Sequence, residues 1–182
     1  MAVSFVKTEI DGVLICKLQV FGDDRGHFAE TFHIDKYAEA GIDKNFVQDN
    51  FSRSQKGTLR GLHYQLNRPQ AKLVTAVTGS IFDVAVDIRR GSPTFGKWIG
   101  TVLSDKNHCQ LYIPSGFAHG FCVLSTTADV VYKCTDIYVP EDDRGIRWSD
   151  TLLNIEGPVS EPLLSNKDAQ LPFIENLNTN QL

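Results

Sequence analysis

Three segments concentrate the side chains able to do chemistry: GTLRGLHYQ (57–65), QAKL (70–73) and IPSGFAHGF (113–121). An imidazole titrates near neutrality, so His63 suits removal of a carbon-bound proton, provided a carboxylate fixes its tautomer. An ammonium such as that of Lys72 offers positive charge to an oxygen on which negative charge develops. Base and cation together point to proton abstraction beside a carbonyl, with the enolate oxygen held by the lysine. Each residue also has a plainer reading. A histidine in a β protein is often a hydrogen-bonded structural residue, and a lysine usually sits in solvent.

The surrounding chain has 182 residues, 42% hydrophobic and 22% charged, which fits one domain over 1–182 with a polar tail from about 175. Disorder and fibrous structure are excluded. With 18 Lys+Arg against 22 Asp+Glu, the net charge of −4 argues against binding to nucleic acid or an anionic membrane. The charge is unevenly spread, since Phe51 to Phe82 holds no carboxylate but contains Arg53, Lys56, Arg60, Arg68 and Lys72. The opening MAVSFVKTEIDG has an early acid and no apolar signal core, and no apolar run approaches the ~18 residues of a membrane span. These features are read as a soluble cytoplasmic protein. The four cysteines (Cys16, Cys109, Cys122, Cys134) form no C-x-x-C pair, so buried free thiols are expected rather than zinc, redox or disulfide chemistry.

The elements that must position these residues are short. Runs rich in β-branched and aromatic residues recur between Gly, Pro, Asn and Asp punctuation: VLICKLQVF (13–21), HFAETF (27–32), AKLVTAVTG (71–79), SIFDVAVDI (80–88), QLYIP (110–114), HGFCVL (119–124) and DVVYKCT (129–135). Only IDKYAEAG (34–41) and a piece near 166–170 have helical character. The pattern predicts an all-β fold, closed into a barrel or double-sheet jelly roll that protects its strand edges, with short flanking helices. In SIFDVAVDI, parity puts Phe82, Val84, Val86 and Ile88 on one face and Asp83, Ala85 and Asp87 on the other. The second face meets solvent or lines a wet cavity, and parity alone does not choose.

Pro114-x-Gly116-x-x-His119 resembles the second sequence motif of the cupin superfamily, small double-sheet barrels whose interior commonly holds a metal. The first cupin motif would supply His-x-His and then a carboxylate. Here His63 is followed by Gln65, and the downstream region offers Gln70 and Lys72. An amide and an ammonium are poor donors to a divalent cation, so no metal and no cofactor are expected. A lysine in a metal's place can still face an oxyanion.

Longer segments carry a narrower resemblance. FGDDRGHFAETF (21–32), FVQDNFSRSQKGTLRGLHYQ (46–65), QAKLV (70–74), FDVAVDIRRGSPTFG (82–96), IPSGFAHGF (113–121), VYKCTDIY (131–138) and LSNKDA (164–169) are similar to the dTDP-4-dehydrorhamnose 3,5-epimerase family in order and content. The resemblance implies a dTDP-4-dehydro-6-deoxy-D-glucose substrate, whose 4-ketone acidifies the C–H bonds at C3 and C5. It implies His63 as base, Asp168 as its carboxylate partner, Tyr132 as the acid on the opposite face and Lys72 as enolate stabiliser. It also implies substrate contacts from Arg25, Phe28, Glu30, Gln48, Asp49, Asn50, Arg60, His119, Tyr138, Asp143 and Lys167, with Tyr138 stacked on thymine and Phe28 covering the base from a neighbouring subunit. A homodimer that shares N-terminal strands follows from the same resemblance. Asp83 on the polar strand face is expected as a second partner for Lys72 or Tyr132.

The chain departs from the family pattern at two places. Asp143 stands where Glu is frequent, one methylene shorter, and Gly157 stands where Trp is frequent. Three other readings compete with the double epimerase: epimerisation at one carbon only or on a differently decorated nucleotide sugar, a metal-dependent cupin oxygenase or isomerase, and a sugar-binding jelly roll without catalysis. Gln65 and Lys72 speak against the metal-dependent reading.

Overall fold

The computed structural model describes residues 3–177. Thirteen strands run among the described residues: β1 (Val3–Lys7), β2 (Leu14–Leu18), β3 (Val20–Asp23), β4 (Gly26–Ala29), β5 (Gln48–Gln55), β6 (Leu59–Gln65), β7 (Lys72–Thr78), β8 (Ser80–Asp87), β9 (Trp98–Ser104), β10 (Cys109–Ile113), β11 (Phe117–Val123), β12 (Thr127–Cys134) and β13 (Asp143–Gly145). Two short helices accompany them, α1 (Ile34–Glu39) and α2 (Asn166–Ala169). The expected all-β jelly roll with short helices is what forms. A six-stranded sheet ordered β1-β2-β10-β7-β12-β5 faces a five-stranded sheet ordered β13-β6-β11-β8-β9, and β3 and β4 pair as a separate hairpin.

Inward-facing residues of both sheets meet in one apolar core. Val74, Leu111, Ile113 and Val130 come from the six-stranded sheet, and Ile81, Ala85, Leu103, Phe117 and Val123 from the other. Both outer faces are also covered. Tyr37 and Ile42, from α1 and the turn after it, pack on Cys16, Leu73 and Tyr112. A helix of this length is not stable alone, and burying such a side chain contributes about 2 kcal/mol, so packing rather than propensity holds α1. The Tyr37 hydroxyl donates to Gln110 Oε1 at 2.6 Å, which satisfies both buried polar groups.

On the other side, Ile146, Leu153, Ile174 and Leu177 lie against Val84, Val86 and Ile88. The start of the polar tail is therefore packed as far as Leu177, and 178–182 lie outside the described residues. This covering resolves the β8 parity question. Phe82, Val84 and Val86 face the C-terminal segment, whereas Asp83 and Asp87 are fully buried on the barrel side and do not meet solvent. All four cysteines are free, with Cys109 half-buried and the others buried.

Candidate active site

The barrel interior is apolar over most of its length and polar at one mouth, and the polar residues there come from strands of both sheets. In β5, Gln48, Asn50, Ser52 and Ser54 alternate with the outward Asp49, Phe51, Arg53 and Gln55, so an inward face is polar throughout. In β6, Arg60 and His63 both line the cleft although three positions separate them. A bulge permits this. His119 of β11 pairs with His63 and Phe121 with Arg60, so β6 advances one residue more than its neighbour. The extra residue is Gly61, with φ of 125°, and a Cβ there would lie 2.5 Å from Gly120 Cα. Only glycine fits.

His63 Nε2 lies 2.6 Å from Asp168 Oδ1. An ionised carboxylate only accepts, so Nε2 carries the hydrogen and Nδ1 is left as the basic nitrogen. Asp168 is placed by α2, whose N-cap Ser165 accepts the Asp168 backbone N–H at 3.0 Å. Burial works against ionisation of Asp168, but the His63 bond and charge, the Ser165 bond and Lys167 together hold its carboxyl below the usual range.

Across the cleft stand Lys72 on β7 and Tyr132 on the adjacent β12. The Lys72 side chain is buried, and Cys134 is its cross-strand partner. Burial lowers the lysine's proton affinity, opposed by the carboxylates of Asp143 and Asp83. Burial raises that of Tyr132, which favours a protonated phenol able to act as an acid. The His63 imidazole thus belongs to one sheet, and the Tyr132 phenol and the Lys72 amine to the other.

The rim is a connected network. Tyr138 donates its hydroxyl to Asp143 Oδ2 at 2.8 Å, and Lys167 forms an ion pair with the same carboxylate. The Tyr138 hydroxyl is pushed up to about 12, chiefly by the Asp143 bond. Gln48 accepts the Tyr138 backbone N–H at 2.8 Å and donates to Asn50 at 3.0 Å, while Arg60 donates to Ser54 at 3.1 Å. The shorter Asp143 still reaches both partners, and nothing lies within 4 Å of a Cβ built on Gly157, so that position is open while Asp168 remains in place.

The cleft has a volume of about 420 Å³, within the range of small-molecule sites. It gathers Gln48, Asn50, Arg60, His63, Lys72, His119, Tyr132, Tyr138, Asp143, Lys167 and Asp168 from the sequence reading. Four expected contacts lie elsewhere. Asp49 points outward and pairs with Lys133 at 2.9 Å, and Glu30 pairs with Lys36 at 2.6 Å. Arg25 and Phe28 belong to the β3–β4 hairpin, where Arg25 binds Asp23 and Phe28 is 68% exposed. Asp83 bonds to His119 Nε2 at 2.8 Å rather than to Lys72 or Tyr132. Ser165, Ser52 and Ser54 were not singled out in the sequence. Ser165-x-x-Asp168 is a capping signature, and the period-two polar residues of β5 mark a wet inward face.

Gln65, where a cupin metal ligand would stand, spends its amide on loop backbone: it donates to the carbonyls of Arg68 and Ile137 and accepts the Val139 N–H. Among the described residues no group of three His, Cys, Asp or Glu side chains is placed to hold a metal ion.

A cupin-type barrel whose polar mouth sets a histidine–carboxylate pair opposite a tyrosine and a buried lysine has the layout of a carbohydrate epimerase. The sequence profile of the dTDP-4-dehydrorhamnose 3,5-epimerase family matches residues 7–176, and the chain belongs to that family. It is 59% identical over 165 residues to a dTDP-4-dehydrorhamnose 3,5-epimerase of Shigella flexneri, covering 90% of this chain and 91% of the relative. A dTDP-4-dehydrorhamnose 3-epimerase of Streptomyces niveus is 41% identical over 161 residues, covering 87% of this chain and 78% of the relative. Among solved structures, a dTDP-6-deoxy-D-glucose-3,5-epimerase of Legionella pneumophila Philadelphia 1, in complex with dTDP-4-keto-L-rhamnose, superposes with a TM-score of 0.96 at 50% identity, over 99% of this chain and 97% of that one.

Proposed function

We propose that the chain epimerises dTDP-4-dehydro-6-deoxy-D-glucose at C3 and C5, giving dTDP-4-dehydro-L-rhamnose for rhamnose biosynthesis. The placement of His63 and Tyr132 on opposed sheets of one cleft is the observation that carries this reading. A single base tends to return a proton to the face it came from, whereas inversion needs a second group on the other side. His63 Nδ1 removes the proton beside the ketone, Lys72 holds the enolate oxygen, and Tyr132 delivers a proton to the opposite face. Asp168 stabilises the imidazolium that forms. Arg60 and Lys167 supply positive charge for the diphosphate, and Tyr138 presents its ring to the thymine.

The hairpin residues Arg25 and Phe28 enter this reading through a homodimer. In a single chain the hairpin stands apart, with Phe21 53% and Phe28 68% exposed, and β1 is an open sheet edge. A second copy that covers this edge would bring its arm to the neighbouring cleft, as expected for a cytoplasmic enzyme with shared N-terminal strands.

Incubation with the substrate in heavy water, read by NMR, tests the activity. Deuterium at both C3 and C5 with inverted configuration is the expected result. Deuterium at one carbon would select the single-site epimerase, and none at either would leave only a binding module. Turnover that survives chelation is expected with Lys72 as the charge facing the oxyanion, and loss restored by a divalent ion would reject it.

A further inference from the structure

His119 and Asp83 form a second imidazole–carboxylate pair that the proton-transfer chemistry above does not use. Asp83 Oδ1 lies 2.8 Å from His119 Nε2, with side-chain exposures of 0% for Asp83 and 6% for His119. The register explains the contact. His119 is opposite Ala85 and Phe121 is opposite Asp83, so the imidazole leans over the small Ala85 to reach its diagonal neighbour. The other oxygen, Asp83 Oδ2, is buried with no hydrogen-bond partner. A fully buried carboxylate with one oxygen unpaired is a poor device for stability, because desolvation outweighs what one hydrogen bond returns. Its presence calls for another reason, and its location supplies one, since His119 lines the cleft beside His63, its cross-strand partner.

We infer that Asp83 is a positioning residue: it holds His119 as the Nε2–H tautomer, so that Nδ1 presents an acceptor lone pair to a hydroxyl of the bound sugar. The inference rests on the epimerase reading for the identity of the sugar. An ionised carboxylate has only acceptors, so the hydrogen of the shared bond belongs to His119, and Nδ1 is the nitrogen left for a ligand. The surroundings favour a neutral ring. Burial lowers the proton affinity of His119, as do the charges of Lys72 and His63, against the opposing pull of Asp83. A neutral ring beside His63 adds no positive charge against the proton that His63 must accept. A hydroxyl donating to Nδ1 fixes the sugar ring relative to Lys72 and His63, and small errors in that placement are costly to rate.

Asp83→Asn keeps the shape and removes the fixed acceptor, because the amide nitrogen can donate to the ring instead and favour the other tautomer. In the full chain labelled with ¹⁵N-histidine, His119 is expected as the Nε2–H tautomer near neutral pH, and Asp83→Asn should convert it wholly or partly to Nδ1–H. The same variant should lose about 10-fold or more in kcat. Its affinity for dTDP, which has no sugar beyond the deoxyribose, should stay within about twofold, and its Tm should not fall. Introduced into His119→Ala, Asp83→Asn should have little further effect on kcat, since the two act as one unit. An Nδ1–H tautomer in the unsubstituted protein would overturn the inference, as would an unchanged tautomer in Asp83→Asn. So would a parallel loss of dTDP affinity and Tm, or a full further loss in the His119→Ala background. Absence of turnover by the unsubstituted protein would defeat the epimerase reading, while the tautomer measurement would still decide the role of Asp83.

Discussion

His63 and His119 are cross-strand partners on β6 and β11, and each is bound through Nε2 to a carboxylate of its own, Asp168 at 2.6 Å and Asp83 at 2.8 Å. Both imidazoles line one cleft, yet their surroundings differ. The His63 side chain is 31% exposed, whereas that of His119 is 6% exposed and beside Lys72. One ring is reached by solvent, and burial lowers the proton affinity of the other.

Asp168→Asn removes the charge that stabilises the His63 imidazolium and allows the opposite tautomer. The expected loss in kcat is about 10² to 10⁴-fold with KM nearly unchanged, as the proposed role of the carboxylate in proton transfer requires. Steady-state kinetics check this. A rise in KM at constant kcat would place Asp168 in binding instead.

With Lys72 facing the enolate oxygen, the rate is expected to have an alkaline limit. Its ammonium is buried and gives up its proton more readily than an ordinary lysine of pKa about 10.4, so kcat should decline with rising pH before that value is reached. Asp143 helps to keep the proton on Lys72. Asp143→Asn should therefore move the limb to lower pH, and it should also loosen Tyr138 and raise KM for the nucleotide sugar. A pH–kcat profile that stays fixed in Asp143→Asn would contradict this account of the limb.

Fold stability has a separate acid-sensitive point at Asp87. This buried carboxylate accepts the Arg89 guanidinium at 2.9 and 2.8 Å and the Ser92 and Thr94 hydroxyls at 2.6 Å. Burial pushes its pKa upward, but these bonds outweigh it and hold the carboxyl well below the usual range. A depressed carboxylate contributes stability that is complete above the unfolded value, near 4, and is lost as pH falls toward the folded one. Asp87→Ala should cost about 3 kcal/mol at neutral pH, and its deficit should narrow below about pH 4. Urea melts across pH measure it, and a deficit independent of pH would assign the loss to packing.

How far the sequence foretells the molecule depends on what each strand packs against. β7, β8, β10, β11 and β12 coincide with apolar runs because at least one face of each is buried in hydrocarbon. β5 does not read as a strand in the same way, since its inward face is the polar wall of the cleft. β9 is interrupted by Gly100, a strand breaker by propensity, yet the Phe82 ring lies 2.2 Å from where a Cβ would stand and fills that space. The partner of His63 lies 105 positions away and no spacing rule reaches it. The bury-or-solvate choice for Asp83 depends on the C-terminal segment covering the other face of β8, a tertiary fact.

If the hairpin arm acts on a neighbouring cleft, Arg25→Ala and His63→Ala chains should complement each other. A mixed dimer then holds one doubly defective site and one intact site. Statistical mixing should restore about a quarter of the unsubstituted activity. Mixtures no better than the separate variants would place the arm in its own chain's cleft or outside the reaction.

The central claim is the division of labour between His63 and Tyr132, and isotope exchange in heavy water tests it most directly. Tyr132→Phe keeps the base, Asp168 and Lys72, so deuterium should still enter the substrate, given incubation long enough for His63 to trade its proton with solvent, while inversion is lost or slowed by about 10² to 10⁴-fold. His63→Ala should abolish both exchange and inversion. Normal inversion by Tyr132→Phe, or undiminished exchange by His63→Ala, would contradict the account.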